Sequence, residues 1–386
     1  VTKNWSYIMS KKAKREYLAE IRKRYFLLSK TDKQLILDEF CNNCGYNRKY
    51  AIRLINKITK TTQKSKRSGR PKKYNHILIF EFLKYLWISS NLVCSKRLKA
   101  MIPLWLPYYH ESIPQNIQTL LLNISPATID RLLHKIKCKY KKFGLSTTKP
   151  GSLLKKQIPI KTNQWDESRP GFFEADTVAH CGNSLSGSFI YSVNTTDIAT
   201  GWIETRAAWG KGQTGVFKAL CSIEHSLPFK ILGFDSDNGN EFLNRHLINY
   251  FTNRRQPVQF TRSREYQKND NAHIEQKNWT HIRQYLGYHR LDNPAIVDLL
   301  DNLYSKDWSL FFNFFVPSVK LISKVRMGSK LVKKHDSPKT PFQRLIQCKE
   351  IKPYRKKQLT AVFKSLDPFA LQKSIKEQIT NIFKLI

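Results

Sequence analysis

The strongest constraint on the fold is a change of apolar period near residue 171. Before that point apolar residues recur at helical spacing, whereas Phe172–Val178, Gly187–Thr195 and Trp202–Ala208 are typical of three successive strands. Helices and strands are then predicted to alternate over Gln213–Ser226 (helix), Lys230–Asp235 (strand), Asn240–Thr252 (helix), Pro257–Thr261 (strand) and Asn271–Leu286 (helix). Three strands followed by this alternation predict a mixed α/β domain.

Charge is distributed unevenly around this domain. The chain has 386 residues with 67 Lys/Arg and 29 Asp/Glu, a formal net charge of +38. Residues 171–290 hold 13 Lys/Arg and 11 Asp/Glu, a net of +2, whereas residues 1–75 hold 21 and 5, and residues 318–386 hold 17 and 4. A nearly neutral middle between two basic flanks predicts a catalytic core with arms that bind a polyanion.

Nucleic acid is the expected polyanion. The sequence lacks both the roughly 18 uninterrupted apolar residues of a membrane span and the apolar region of a signal peptide. We therefore expect a cytoplasmic, nucleoid-associated protein that does not bind membranes. AT-rich coding would explain part of the lysine excess, but it would raise glutamate as well. The cysteines are expected to be reduced thiols, since only Cys41 and Cys44 have zinc-like spacing and no second pair follows.

A helix, a short glycine-containing turn and a basic helix are predicted near the N-terminus. The first helix is expected to follow a cap at Thr31-Asp32 and to end before Gly45, and the second to begin at Asn47. The second helix would bury Ala51, Ile52, Leu54 and Ile55 and expose the candidate DNA contacts Arg48, Lys49 and Arg53. This pattern favours a helix-turn-helix, whose second helix enters the major groove, over a pair of helices from any small bundle.

A basic linker and a second helical segment follow. The linker contains a Gly-Arg-Pro motif formed around Arg70 and followed by Lys72 and Lys73. This motif suits the DNA minor groove. The alternative is a solvated linker that does not bind DNA. Further along, Ser125 and Pro126 are expected to begin a helix. Its outer face would carry the candidate DNA contacts Thr128, Arg131 and Lys135. With residues 76–122 it would form a second helix-turn-helix-like domain.

Three acidic motifs in the mixed α/β domain carry the candidate chemistry. Asp176 lies inside the first predicted strand, Asp237 directly follows the fourth, and Glu275 lies on the last predicted helix. Ligand sites in such sheets gather at strand ends. Carboxylates are the hard oxygen ligands that Mg²⁺ and Mn²⁺ prefer, and three of them can hold two metal ions for phosphoryl transfer.

About residues 170–290 resemble the catalytic core of the DDE transposase and retroviral-integrase superfamily, a ribonuclease H-like α/β fold. The motifs that carry the resemblance are Glu174-Ala175-Asp176-Thr177, Ser236-Asp237-Asn238-Gly239-Asn240-Glu241-Phe242 and Asn269-Asp270-Asn271-Ala272-His273-Ile274-Glu275-Gln276-Lys277-Asn278. They occur in family order, at spacings of 237 − 176 = 61 and 275 − 237 = 38 residues. The basic helical segments before the core match the layout of bacterial insertion-sequence transposases.

The resemblance implies a function and a set of ligands. Asp176, Asp237 and Glu275 would bind two Mg²⁺ or Mn²⁺ ions, and the protein would cleave DNA at transposon ends and join the exposed 3′-hydroxyls to target DNA. Double-stranded DNA would therefore be the partner, with at least a homodimer in the DNA complex. The alternatives are a nuclease on the same fold, or an inactive or truncated transposase that acts as a DNA-binding protein.

Two other acids lie close to the predicted ligands. Asp235 shares a strand face with Asp237, but the family pattern places the ligand directly before Asn-Gly and so favours Asp237. Glu174 shares a strand face with Asp176 and is expected to support it.

One position departs from the family pattern. Many relatives carry a basic residue seven positions after the catalytic glutamate, where this chain has Ile282. Lys277 or the neighbouring Arg283 is expected to supply that DNA contact instead.

The predicted organisation is an all-α N-terminal part, an α/β core and a basic C-terminal region. A hairpin is expected over Val319–Lys334, and helices over 352–386. The six predicted segments are a helix-turn-helix region (1–66), a basic linker (67–75), a second helical DNA-binding domain (76–143), a linker (144–168), the ribonuclease H-like core (169–290) and a basic C-terminal region (291–386).

Overall fold

The computed structural model describes residues 9–57, 73–140, 169–236, 242, 245–262 and 272–386. The chain divides into two compact units, Val1–Lys73 and Tyr74–Ile386. In the described part of the chain, no helix has the length and apolar character needed to cross a membrane.

The described part of the first unit is helical. Its helices are α1 (Lys11–Tyr25), α2 (Lys30–Cys44) and α3 (Arg48–Asn56). The side chain of Ser29 caps α2 by accepting from the Asp32 amide, so the helix begins earlier than the Thr31-Asp32 cap expected from the sequence. Gly45 ends α2 in the left-handed region, with φ of 65°, a conformation that glycine adopts without strain. Asn47 caps α3 as expected.

The core of the first unit leaves one face of α3 open. The residues buried together are Ile21, Leu37, Phe40, Cys44, Ala51 and Ile55. Ala51 and Ile55 are four residues apart and therefore share one helix face. Ile52 lies off that face and is 37% exposed, so the expectation that it packs inward is wrong. Lys49 and Arg53 are exposed, and Arg48 is exposed while pairing with Asp38 of α2.

The second unit begins with four helices that pack onto the rest of that unit. They are α4 (Ile77–Ser89), α5 (Ser95–Trp105), α6 (Gln115–Asn123) and α7 (Pro126–Lys137). The indole of Trp105 donates to the Phe315 carbonyl at 3.2 Å, and Arg97 Nε donates to the Pro317 carbonyl at 2.6 Å. The sequence predicted a separate domain over 76–143, but these helices belong to the same compact unit as the sheet. The apolar face of α4, which carries Ile79, Phe82, Leu83, Leu86 and Trp87, is buried in the same hydrophobic core as the strands.

A five-stranded mixed sheet forms the centre of the second unit. Its strands are β1 (Phe172–Ala179), β2 (Ile190–Asp197), β3 (Ile203–Trp209), β4 (Gly233–Ser236) and β5 (Gln259–Arg262), in the spatial order β3-β2-β1-β4-β5. Antiparallel pairing joins β1 to β2 and β2 to β3, whereas β4 pairs parallel with both β1 and β5. The predicted mixed α/β domain is therefore confirmed.

Helices connect and cover the sheet. Helix α8 (Gln213–Ser226) has the predicted bounds and leads from β3 to β4, and α9 (Arg245–Thr252) precedes β5. The last predicted helix of the domain forms three consecutive segments: α10 (Ala272–Lys277), a π-helical turn (Asn278–Arg283) and α11 (Gln284–Leu286).

The C-terminal part adds helices and a hairpin. Helix α12 (Ile296–Leu303) runs through a second π-helical turn (Tyr304–Trp308) into α13 (Ser309–Phe315). Strands β6 (Leu321–Met327) and β7 (Lys330–His335) form the expected hairpin. The remaining helices are α14 (Pro341–Gln347), α15 (Pro353–Ser365) and α16 (Pro368–Phe383).

Candidate active site

The parallel pairing of β1 with β4 sets the geometry of the candidate site. Ala175 on β1 is the register partner of Ser236, the last residue of β4. Asp176 follows Ala175 on β1, and Asp237 follows Ser236 in the sequence. Asp237 itself lies outside the described residues. In the sequence, the two predicted ligands Asp176 and Asp237 therefore each directly follow one residue of the register pair Ala175–Ser236.

The carboxylate of Asp176 is held by two hydrogen bonds. Its Oδ2 accepts from Asn278 Nδ2 at 2.6 Å, and its Oδ1 accepts from the Thr177 amide at 2.7 Å. Asn278 begins the π-helical turn that directly follows α10. Because both carboxylate oxygens are engaged, the orientation of Asp176 depends on the helix that carries Glu275.

Asn278 is itself held by the sheet. Its Oδ1 accepts from Asn194 Nδ2 at 2.7 Å, and Asn194 Oδ1 accepts from Thr205 Oγ1 at 3.0 Å. Asn194 and Thr205 are fully buried, and the strand register places Asn194 between Asp176 and Thr205. Fully satisfied buried polar networks rigidify the groups they contain. Asn194 and Thr205 were not among the predicted site residues, because β2 and β3 contain several polar residues and only the strand register brings these two together.

Glu174 ties the start of α10 to β1. The side chain of Glu174 is 1% exposed, and its Oε2 accepts from the Ile274 amide at 3.1 Å. Amides in the first turn of a helix have no partner within the helix, so a carboxylate there satisfies an otherwise open donor. Glu275 lies between Ile274 and Asn278, and both of these residues bond to acids of β1. The side chain of Glu275 lies outside the described residues.

The alternative ligand Asp235 is in the interior of the sheet. It is fully buried, accepts from Thr261 Oγ1 of β5 at 2.6 Å, and is the register partner of Glu174. These contacts place Asp235 among the groups that hold β1, β4 and β5 together.

The π-helical turn explains the departure at Ile282. Ile282 is fully buried. A π-helical turn contains about one residue more than an α-helical turn. The eighth residue after Glu275, Arg283, therefore takes the angular position that the seventh has in an uninterrupted α-helix. Arg283 donates to the Ala179 carbonyl at the end of β1 at 2.7 Å, so it fastens the helix to the sheet.

Lys277 does not reach the surface. It is 8% exposed, and burial lowers its pKa to about 7, with further lowering by Arg97 and Arg344. A buried side chain cannot meet a DNA backbone without rearrangement, and Arg283 is engaged with backbone carbonyls. Burial of Lys277 does not favour the predicted DNA contact, whereas Arg283 is only partly buried and its contact with DNA stays a prediction.

The remaining predicted DNA contacts are divided between the surface and undescribed segments. Arg131 and Lys135 are exposed on α7, whereas Thr128 is partly buried and its amide is capped by Ser125. Lys73 is exposed. Arg70 and Lys72 lie outside the described residues.

Of the three predicted metal ligands, Asp176 is the one whose side chain the structure describes. Among the described residues, no group of three His, Cys, Asp or Glu side chains could hold a metal ion. Two members of the predicted set, Asp237 and the side chain of Glu275, lie outside the described residues. Asp176 is a partly exposed carboxylate in a fixed orientation, the hard oxygen donor that Mg²⁺ and Mn²⁺ accept.

Comparison with solved structures gives weak likenesses. A simian T-cell lymphotropic virus intasome in complex with PP2A regulatory subunit B56 gamma is 14% identical with a TM-score of 0.32, covering 62% of this chain and 73% of that one. The catalytic core domain of BIV integrase is 14% identical with a TM-score of 0.28, covering 46% of this chain and 93% of that one. Likeness at this level carries no argument about fold or activity.

Comparison with sequences gives a clear relative. No protein-family model matches the chain. The uncharacterized protein y4rM of Sinorhizobium fredii (strain NBRC 101917 / NGR234) is 36% identical over 338 residues, which cover 85% of this chain and 94% of that protein. Identity at this level over most of both chains shows common descent and a common fold. The chain belongs to the same family as uncharacterized protein y4rM.

Proposed function

We propose that the protein is a DNA transposase that cleaves at the ends of an insertion sequence and joins them to target DNA. The observation that carries the proposal is the pairing of Ala175 with Ser236 together with the hydrogen bond from Asn278 to Asp176. These contacts draw the strand ends and the helix that bear the three acidic motifs toward one part of the sheet.

The strand arrangement supports a ribonuclease H-like core. Three antiparallel strands are followed by two parallel ones, and β1, the first strand of the described residues, lies in the centre of the order β3-β2-β1-β4-β5. This is the arrangement in which a central-strand acid and an acid after the fourth strand come together, as the resemblance of the three motifs implies.

The three acids have proposed positions that follow from regular geometry. The β1–β4 register ends at the pair Ala175–Ser236, and Asp176 and Asp237 are the next residues of the sequence after each member, so the proposal would have both carboxylates at this end of the paired strands. Glu275 precedes Asn278 by three residues, and residues three apart share a helix face. Asn278 bonds to Asp176, and the proposal would have Glu275 act from that same helix face.

Asp176, Asp237 and Glu275 would hold two Mg²⁺ or Mn²⁺ ions. When bound, these ions supply activation of the attacking oxygen and stabilisation of charge on the leaving oxygen. Asn278 fixes the direction of the Asp176 carboxylate, and Glu174 fixes the start of the helix that carries Glu275.

The basic surfaces supply the DNA contacts of the proposal. Helix α3 exposes Lys49 and Arg53, and α7 exposes Arg131 and Lys135. Positive side chains that neutralise phosphates give binding that weakens steeply with salt. Two DNA ends have to be held together for joining, and we propose at least a dimer in that complex.

The proposal is tested by cleavage and joining with purified protein. The substrate is duplex DNA carrying the sequences that flank the protein's own gene, offered with a plasmid target in Mg²⁺, Mn²⁺ or Ca²⁺. Strand cleavage and joined products in Mg²⁺ or Mn²⁺ are expected. Tight DNA binding without cutting in either metal would favour the alternative, a DNA-binding protein without transposase activity. Cutting without joining would favour a nuclease.

Arg53→Ala is expected to weaken binding to the flanking DNA by roughly tenfold and to reduce the salt slope of binding by about one. Arg53 is exposed on α3 and stacks over Tyr50 at 5.3 Å, which holds its guanidinium outward from the core of the unit. Fluorescence anisotropy at several salt concentrations measures both effects. Arg15→Ala, an exposed arginine on α1, is the matched control. Equal losses in the two variants would remove α3 from the interface.

Asn278→Ala is expected to slow joining by about 10- to 100-fold, the usual effect of removing a group that orients a metal ligand. The loss should shrink as Mn²⁺ concentration rises, because a misoriented carboxylate weakens metal binding. The exposed Gln276 on the same helix gives the control Gln276→Ala, which should keep wild-type rates. A metal-independent loss in Asn278→Ala would mean that Asn278 does not act through Asp176.

A further inference from the structure

The hairpin formed by β6 and β7, residues 321–335, is here called the ribbon. Its strands pair antiparallel with a register shift between Leu321 and Ser323. The two strands form a sheet of their own, separate from the five-stranded sheet. A two-stranded hairpin alone is marginally stable in water. The ribbon is therefore expected to need either a firm base or a binding partner.

The described side chains of the ribbon are exposed on both of its faces. Val325 and Val332 are register partners, yet they are 55% and 48% exposed, and Met327 is 66% exposed. Arg326, on the alternate face, is exposed as well. Apolar side chains held in solvent at this level mark a surface used for interaction.

The ribbon carries charge of one sign. Residues 321–335 contain five Lys/Arg and no Asp or Glu. Like charges that face one another across two paired strands destabilise the pair. Repulsion between its positive charges therefore destabilises the isolated ribbon, and a bound polyanion would neutralise those charges.

The base of the ribbon is fixed to the second unit. The Lys320 amide donates to Asp336 Oδ1, and Arg344 pairs with the same carboxylate. Burial alone would raise the pKa of Asp336, but Arg344 and the Lys320 amide hold that pKa below its usual range. Lys320 Nζ also donates to the Ala199 carbonyl, in the turn between β2 and β3, at 2.9 Å. A rigid base presents the ribbon in one direction.

We propose that the ribbon inserts into the major groove of the DNA held by the protein, an inference that rests on the proposed function. The major groove of B-DNA is about 12 Å wide and admits a two-stranded ribbon. Seven residues of β6 extend about 23 Å, enough to follow the groove across several base pairs. Basic side chains would meet phosphates, and Val325, Val332 and Met327 would meet base edges such as thymine methyl groups.

A second copy of the ribbon is a poorer occupant. The ribbon has no acidic side chain, so two ribbons that met would bring only positive charges together. Duplex DNA offers both the opposite charge and apolar methyl groups along one groove.

The test compares two triple variants of the full-length protein that remove the same charge. The ribbon variant is Arg326→Ala/Lys333→Ala/Lys334→Ala. The control variant is Lys218→Ala/Lys230→Ala/Lys306→Ala, three lysines exposed elsewhere on the second unit. Binding to the duplex that carries the gene-flanking sequence is measured against salt, without divalent metal. Dimethyl sulfate then reports guanine N7, an atom that lies in the major groove.

The ribbon variant is expected to bind about tenfold or more weakly and to lose the guanine N7 protection that the wild type and the control variant give. Its salt slope should fall by about one for each phosphate that the ribbon no longer neutralises. Absence of N7 protection with the wild type, unchanged protection with the ribbon variant, or equal losses in both variants would each overturn the inference.

The two proposals fail in different ways. Ribbon-dependent N7 protection by a protein that neither cuts nor joins would keep the ribbon inference and end the proposed transposase function. Joining by a wild type that gives no N7 protection would do the reverse.

Discussion

Asp176→Asn is expected to abolish DNA joining, by at least about 10³-fold, while leaving DNA affinity near that of the wild type. The metal ions in such reactions contribute several kcal/mol, and each 1.4 kcal/mol or so is a factor of ten in rate. An amide in place of the carboxylate removes the charge that holds the ions. Its one side-chain oxygen can still accept from Asn278, which keeps the contact with the helix, while the bond from the Thr177 amide is lost. Joining assays and calorimetric titration with Mn²⁺ measure the two effects.

The control for this variant is Asp298→Asn, an exposed acid on α12 in the same unit. It has the same charge change and should join DNA at the wild-type rate. If Asp176→Asn kept full joining activity, Asp176 would not be a ligand, and the proposed site would be wrong at its best-described position.

Arg206→Met is expected to lower the free energy of unfolding by about 3–5 kcal/mol, the usual cost of removing one partner of a buried ion pair. Arg206 on β3 and Glu204 are 3% and 2% exposed and form an ion pair at 3.3 Å. Arg206 also donates to Ser222 and Ser226 of α8, which joins that helix to the sheet. Without Arg206, Glu204 keeps the donors Trp202 Nε1 and Ser309 Oγ but loses its counter-charge. Chemical denaturation measures the loss.

The matched control is the double variant Glu204→Gln/Arg206→Met. The glutamine oxygen can still accept from Trp202 and Ser309, and no buried charge remains. The double variant should therefore be more stable than Arg206→Met alone. A double variant that is less stable would show that the loss in Arg206→Met comes from packing and not from the unpaired carboxylate.

The loss in Arg206→Met should also depend on pH. Burial raises the pKa of Glu204 even with Arg206 present, and removal of Arg206 takes away a contact that lowers it. The folded variant then holds its proton at a pH where the unfolded chain has released it. Its stability should accordingly fall as pH rises from the unfolded pKa, about 4.3, through the raised folded pKa. The double variant has no such carboxyl and should not show this slope.

The alternation of elements in the α/β domain was predictable because it depends on local pattern. Helix α8 has the predicted bounds, and three strand-like runs correspond to β1, β2 and β3 with shifts of a few residues. The hairpin after residue 318 was also visible in the alternation of its residues. These elements are specified by apolar period and turn residues that lie within a short window.

Features that depend on distant partners were not predictable. The helices over 76–143 were assigned to a separate domain, since the sequence does not reveal that Trp105 and Arg97 bond to carbonyls more than 200 residues away. The burial of Lys277 has the same origin, because its neighbours come from other elements. The bonds that join Thr205, Asn194, Asn278 and Asp176 require the strand register, which short-range patterns do not fix.

Asp237→Cys gives the most direct measurement of the central claim that Asp176, Asp237 and Glu275 hold the metal ions for DNA joining. Thiolate is a softer ligand than carboxylate, and Mn²⁺ accepts it more readily than Mg²⁺ does. The variant should be inactive in Mg²⁺ and regain joining in Mn²⁺, while the control Asp298→Cys behaves as the wild type in both metals. Equal activity of Asp237→Cys and wild type in Mg²⁺ would contradict the claim.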